Sequence, residues 1–298
     1  MGMQHIRPVG RLLLRRFFGS LIGIIAASSI MTMSLASDYE FELHLHSEEL
    51  EPPEAAADAA LLPVVAAAKT TRPIGSQYDF TGTAAGSSIW LLPKSQNPDA
   101  LYLSVGTEEL IAGDFAGPLT WTLTSVSGSG GGAAPGAFSV WNSGTAGSWA
   151  TVTPLMSTVG GTPNAFTVSA PAHTHFNYGF TAPGLYNVEF SVSALLAAGK
   201  GGGTATGTAT YSFGVFDTAS DYTYPTSTPW TYQGQSFSVA LVGNEHIDMG
   251  VALVPVPEPS AAMMVIFAGT GLVLAGMRRR RLPPAASRKR AIFWAEKP

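Results

Sequence analysis

The segment Phe41-Glu42-Leu43-His44-Leu45-His46 alternates apolar and polar residues with a period of two, a pattern that suits a strand buried on one side only. In such a strand Phe41, Leu43 and Leu45 share one face and Glu42, His44 and His46 the other. Further short runs read as strands: Leu101 to Val105, Leu119 to Val126, Ala137 to Trp141, Phe166 to Ser169, Tyr186 to Ser193, Thr204 to Val215 and Phe237 to Val242. Gly, Pro and Asn turns break them apart. This spacing predicts an all-β fold, a single antiparallel β-sandwich. Ser127 to Pro135 and Ala198 to Gly203 are Gly-rich, but neither follows a strand and opens a helix, so they read as linkers rather than phosphate loops. Glu48 to Ala60, acidic and Ala-rich, reads as an exposed loop or short helix.

Charge is strongly segregated. From Ser37 to Val256 the basic residues are Lys69, Arg72, Lys94 and Lys200 alone, four against eighteen Asp and Glu, a formal charge of −14. The remaining basic residues lie in the two flanks, and so acidic a central segment makes nucleic acid an unsuitable partner. Cysteine is absent, which excludes disulfides, thiolate metal sites and cysteine nucleophiles.

Both flanks have the composition of targeting segments. Arg7, Arg11, Arg15 and Arg16 precede an apolar stretch from Phe17 to Ile30 and then Ser34-Leu35-Ala36, the three parts of a secretory signal cut after Ala36. The secretion translocon is the partner this implies, with an uncleaved membrane anchor as the alternative. At the other end, Pro257-Glu258-Pro259 is followed by an apolar run from Ala261 to Met277 and then by Arg278, Arg279, Arg280 and Arg281. A helix of that length rises about 1.5 Å per residue and just reaches across a hydrocarbon core of about 30 Å. The arginines are expected to hold its far end in the cytoplasm.

Pro257-Glu258-Pro259, the apolar helix containing Gly269, Gly271 and Gly276, and the arginine cluster together resemble the PEP-CTERM sorting signal. That resemblance implies an exosortase, a membrane transpeptidase of Gram-negative bacteria, as processing partner. It also implies a destination at the cell surface or in the extracellular matrix, near extracellular polysaccharide. The segment from about Tyr39 to Phe216 resembles the choice-of-anchor M surface domain. The resemblance is carried by His44-Leu-His46, Thr71-Arg-Pro73, Gly86 through Trp90-Leu-Leu-Pro93, Phe138-Ser-Val-Trp141, His173-Thr-His175-Phe-Asn177 and Phe180-Thr-Ala-Pro-Gly184-Leu-Tyr186. In that family a Gly-His-x-Asp strand commonly precedes the first His-x-His segment. Here the similar string Gly243-Asn-Glu-His246-Ile-Asp248-Met-Gly250 is expected to take that place from the C-terminal side. The parts are then a signal peptide (1–36), a β-sandwich (37–217), an extension with one or two strands (218–253), the sorting signal (254–281) and a basic cytoplasmic tail (282–298).

After Ala36 every histidine falls in one of three motifs: His44-x-His46, His173-x-His175 and His246-x-Asp248. On a strand an i, i+2 pair aims both rings to one side with Cα atoms about 6.6 Å apart. Neighbouring strands could thus converge several imidazoles on one ion. Zinc is the expected cofactor, while nickel, copper or manganese accept the same residue types. Glu48, Glu49 or Asp248 would complete the shell or orient a ring. The opposing reading makes the histidines outward polar residues of separate strands. The expected function is a non-catalytic, surface-anchored protein that binds a divalent metal. One alternative is attachment to matrix polysaccharide through Trp90, Trp121, Trp141, Trp149 or Trp230. The other is a metal-dependent hydrolase, although the sequence has neither a further Asp-His pair nor a Gly-x-Ser-x-Gly elbow.

Overall fold

The computed structural model describes residues 38–256. The signal peptide, Pro257-Glu258-Pro259, the apolar run, Arg278 to Arg281 and the 282–298 tail lie outside the described residues, among which no helix is long and apolar enough to cross a membrane. The chain begins with β1 (Tyr39–His46), β2 (Glu54–Ala56), β3 (Leu61–Val64), β4 (Lys69–Thr71), β5 (Ser88–Leu92) and β6 (Tyr102–Gly106). It continues with β7 (Leu119–Ser127), β8 (Phe138–Asn142), β9 (Thr153–Ser157), β10 (Ala165–Val168), β11 (His173–His175) and β12 (Asn177–Phe180). It closes with β13 (Gly184–Leu195), β14 (Thr204–Val215), β15 (Trp230–Tyr232), β16 (Gln235–Phe237) and β17 (His246–Pro255).

The all-β class holds, in antiparallel and mixed sheets. The strand orders are β11-β6-β17-β1-β2, β10-β7-β13-β14-β3, β4-β5-β12-β8-β9 and the ribbon β15-β16. The expectation of purely antiparallel pairing fails at two places, because β14 pairs with β3 and β17 with β6 in parallel. Each parallel pair joins segments far apart in sequence, as a parallel connection requires.

The packing is sandwich-like, with one layer divided between two sheets. Along β13 and β14 the pairs Tyr186↔Phe213, Val188↔Tyr211, Phe190↔Ala209 and Val192↔Gly207 stand on one face. Phe138 and Phe180 of the β4-β5-β12-β8-β9 sheet cover one end of that face, with ring centroids 5.1 Å from Phe180 to Phe213 and 6.3 Å from Phe138 to Phe190. Strand β1 covers the other end. Tyr211 Oη donates to His44 O at 3.2 Å, and Phe41, Leu43 and Leu45 are buried as their alternation requires. The layers approach closely at Gly207, where a Cβ would lie 2.1 Å from Phe41 O. Full burial of one such Leu or Phe is worth about 1.5–3 kcal/mol, so this face holds the outward side of β1 rigidly in place.

The segment 218–253 supplies β15, β16 and most of β17, and β17 is the central strand of the sheet that contains β1. Two expectations need correction. Glu48 to Ala60 is not wholly loop or helix, since β2 pairs with β1 within it. Phe237 to Val242 leaves strand geometry after Phe237. There the Glu245 carboxylate accepts the backbone N–H groups of Val242, Gly243 (2.6 Å) and Asn244 (3.1 Å), holding the chain in a turn instead of a ladder.

Gly207→Ala should destabilise the domain by about 1–3 kcal/mol through overpacking, lowering the thermal midpoint. Gly199→Ala, where a Cβ meets nothing within 4 Å, is the control. Equal midpoints for the two variants would contradict the close approach at Gly207.

Candidate metal centre

The site lies on the outward face of the β11-β6-β17-β1-β2 sheet, where strand register brings distant residues into rows. One row crosses all five strands as Glu54, His46, Asp248, Ser104 and His175. The next row holds Ala56, His44, Gly250, Gly106 and His173. His246, two residues before Asp248, stands opposite Tyr102. Alternation explains the sidedness: Ile247, Met249 and Val251 of β17 and Leu103 and Val105 of β6 are buried in the core, leaving the intervening residues to face out. The expected placement of the His246 string beside β1 is observed.

Three imidazoles converge. One ring nitrogen from each of His173, His175 and His246 lies within 4.8 Å of the other two, and Glu108, His173 and Asp248 form a second group within the same limit. His173 Nε2 and His175 Nε2 are 2.9 Å apart. His175 Nδ1 is 3.0 Å from Leu103 O, which can only accept, so that nitrogen carries the ring proton. His173 Nδ1 is 2.8 Å from Glu108 Oε1, which in its ionised form also accepts. In the neutral rings both Nε2 atoms therefore present lone pairs to each other, an arrangement that either a shared proton or a cation relieves. His246 Nε2 is buried and makes no hydrogen bond, although Asp248 Oδ1 lies 3.2 Å away. The distance alone would suggest an ion pair; the failed hydrogen-bond geometry is the better guide, and it leaves this nitrogen without a proton partner.

Asp248 is the hub. Its buried carboxylate accepts from Ser104 Oγ, and Oδ2 lies 3.5 Å from His46 Nδ1 and 3.8 Å from His173 Nδ1. The Tyr102 ring stacks on His175 with centroids 3.7 Å apart and planes 10° apart, fixing the ring orientation. Burial is the largest cause holding His175 at about pKa 4, below its ordinary 6.5, opposed by the bond to Leu103 O and aided by His173 and His246. That ring stays neutral, and so able to ligate, near neutral pH.

The six expected ligands divide. His173, His175 and His246 form the convergent set, with Asp248 and His46 beside it. His44 shares the row of His173 but stands across Gly250 and Gly106 from it, its Nε2 3.0 Å from Glu109 Oε1. Glu48 and Glu49 line a cleft of about 450 Å³ over the site without entering either group. Ser104, Glu108 and Tyr102 were not anticipated, although Gly106-Thr107-Glu108-Glu109 directly after an alternating strand was a readable signal. Trp90, Trp121 and Trp141 are buried and have no free face for a sugar. Trp149 packs on Trp141 at 5.1 Å and Trp230 on Phe237 at 5.3 Å. Neither a family model, nor a curated protein, nor a solved structure matches the chain.

The unfolded chain protonates His175 near its ordinary 6.5, the folded chain only near 4, so this group takes stability away as pH falls through that window. Metal-free chain should show a declining thermal midpoint between those pH values, and His175→Gln should flatten part of the decline. Identical slopes would contradict the burial of a neutral ring.

Proposed function

We propose that the domain binds one divalent transition-metal ion, zinc foremost, through His173, His175 and His246, and carries it at the cell surface without catalysing a reaction. The observation that supports this most is the pair of Nε2 lone pairs held face to face, with a third buried imidazole nitrogen beside them. A tetrahedral zinc about 2.0–2.1 Å from each nitrogen sets its donors about 3.4 Å apart, so the His173 and His175 rings, 2.9 Å apart at Nε2, need to open by only about half an ångström, and His246 lies within 4.8 Å of both. The bonds from Nδ1 to Glu108 and to Leu103 O are the outer-shell contacts that ligating histidines generally make. Asp248 stands outside the group of three but 3.2 Å from His246 Nε2, and a small shift of its carboxylate would supply the fourth donor and close the shell as structural sites are closed. A closed shell leaves no bound water to activate, and this favours a non-catalytic role over hydrolysis.

Surface display is the other half of the reading and rests on the two flanks: a secretory signal ending at Ala36, and Pro257-Glu258-Pro259 with the apolar run and arginines as substrate for an exosortase. The acidic domain between them then faces outward, close to membrane and extracellular polysaccharide.

Two outcomes are expected. Full chain purified without a histidine tag or chelator and dialysed against zinc should retain one tightly held ion by elemental analysis. His173→Ala with His175→Ala should abolish that retention, and His44→Ala should leave it unchanged; no uptake by the parent chain refutes the proposal. In the source cell, replacing Pro257, Glu258 and Pro259 with Ala should leave the chain unprocessed at the membrane. Normal processing of that variant would contradict the sorting assignment.

A further inference from the structure

Both ends of the described chain leave the fold at one place. Tyr39 pairs with Pro255 across β1 and β17, and Val256 N donates to Asp38 O at 2.9 Å, so backbone pairing holds the chain as far as Val256. Only residues 257–260 separate it from the apolar run that begins at Ala261. The five Cα steps from Val256 to Ala261, fully extended, cover at most about 18 Å. Strand β17 alone, ten residues long, rises about 33 Å. The tether is therefore shorter than the domain is long, and the end where the chain leaves stays beside any bilayer that holds the apolar run.

That end has a surface suited to such a position. The segment before β7 and the loop after β13 meet there: Phe115 bridges to Leu196, Ala116 N donates to Leu195 O at 2.8 Å and Ala197 N to Asp114 O at 2.8 Å. The loop reaches the chain ends as well, because Lys200 Nζ lies 5.1 Å from the centre of the Tyr39 ring and a Cβ on Gly201 would lie 3.5 Å from Asp38 Oδ2. Ile111, whose carbonyl accepts from Asp114 N at 2.9 Å, Leu195 and Val256 are 67, 56 and 40% exposed. The other comparably exposed large apolar residues among those described are Ile74, Tyr224 and Val242, and they lie elsewhere. Tyr224 and Val242 share a cleft with Val65, next to the Val64↔Val215 pair at the end of β14, whereas Leu195 pairs with Thr204 at its start. Ile74 follows β4, on the sheet that covers the far end of the β13-β14 face. Apolar side chains scattered singly need no explanation, but three at the exit of the chain do. Lys200 pairs with Asp114 at 3.1 Å, so what this end offers is apolar contact rather than a free cation.

We infer that this end of the domain rests on a lipid surface, with Ile111 and Leu195 entering the headgroup boundary and Val256 beside them. The inference rests on the reading that the apolar run lies in a membrane, and adds to it the face that the domain turns to the bilayer. Two aliphatic side chains hold a lipid surface weakly by themselves; a short tether raises their effective concentration and makes the contact persist. Pro257-Glu258-Pro259 is then presented at the bilayer surface, within reach of a membrane-embedded processing enzyme. The imidazole cluster points the other way, because His246 begins the strand that Pro255 ends, about 30 Å along it.

The chain has no cysteine, so one introduced cysteine carries the only nitroxide label. Full chain with Ile111→Cys, Leu195→Cys or, as control, Ile74→Cys is reconstituted in vesicles of phosphatidylethanolamine and phosphatidylglycerol and recovered by flotation. All three positions are exposed, and labelling there leaves the core intact. Electron paramagnetic resonance then compares collisions with oxygen, which concentrates in lipid, and with a water-soluble nickel chelate. The oxygen-to-nickel ratio should be at least about threefold higher at 111 and 195 than at 74, as interfacial burial requires. A ratio at 111 or 195 no higher than at 74, in chain that floats with the vesicles, overturns this inference and leaves the membrane anchor standing. Chain that fails to float overturns the anchor, and this inference with it.

Discussion

Strand β17 lies between β1 and β6, antiparallel to the first and parallel to the second, and the candidate centre depends on that insertion. Its apolar residues Ile247, Met249 and Val251 are buried, which fixes its register, since a slip of one residue would turn them out to solvent and send His246 and Asp248 into the core. Fixed in that register, Asp248 stands next to His46 on one side and Ser104 on the other, with β11 one strand further along. Residues from four separate stretches of chain thus meet through backbone pairing, without any flexible loop having to find them. Rigid elements hold ligands more accurately than loops do.

The electrostatics follow the same plan. A domain with eighteen acidic and four basic residues has few internal counter-charges, and those few sit away from the centre. The buried carboxylate of Asp248 is met by the Ser104 hydroxyl and by the imidazoles of His46, His173 and His246. The proposed cation would add positive charge where the domain supplies only imidazoles, and a coordinated buried carboxylate is less costly than an uncompensated one.

Much of this was legible in the sequence, and the failures have physical causes. The alternation in Phe41 to His46 placed both histidines on the outward face. Thr204 to Val215 was read with its true limits because its apolar alternation is long. Strand β3 escaped notice because Pro63 breaks the pattern, a residue tolerated there because β3 is an edge strand. Phe237 to Val242 has strand composition, but the Glu245 carboxylate captures the amides a ladder would have used. The His-x-His pairs announced convergence, yet periodicity along single strands does not give register between them. Only pairing distinguishes His46, beside Asp248, from His44, beside Gly250. Glu108 gains its place beside His173 for the same reason, because β6 pairs with both β11 and β17.

X-ray absorption at the zinc edge of the loaded full chain tests the central claim most directly. Three imidazole nitrogens predict a first shell of nitrogen and oxygen at about 2.0–2.1 Å with the multiple-scattering pattern of about three histidine rings. A shell of oxygen alone, or with the scattering of at most one ring, would contradict it.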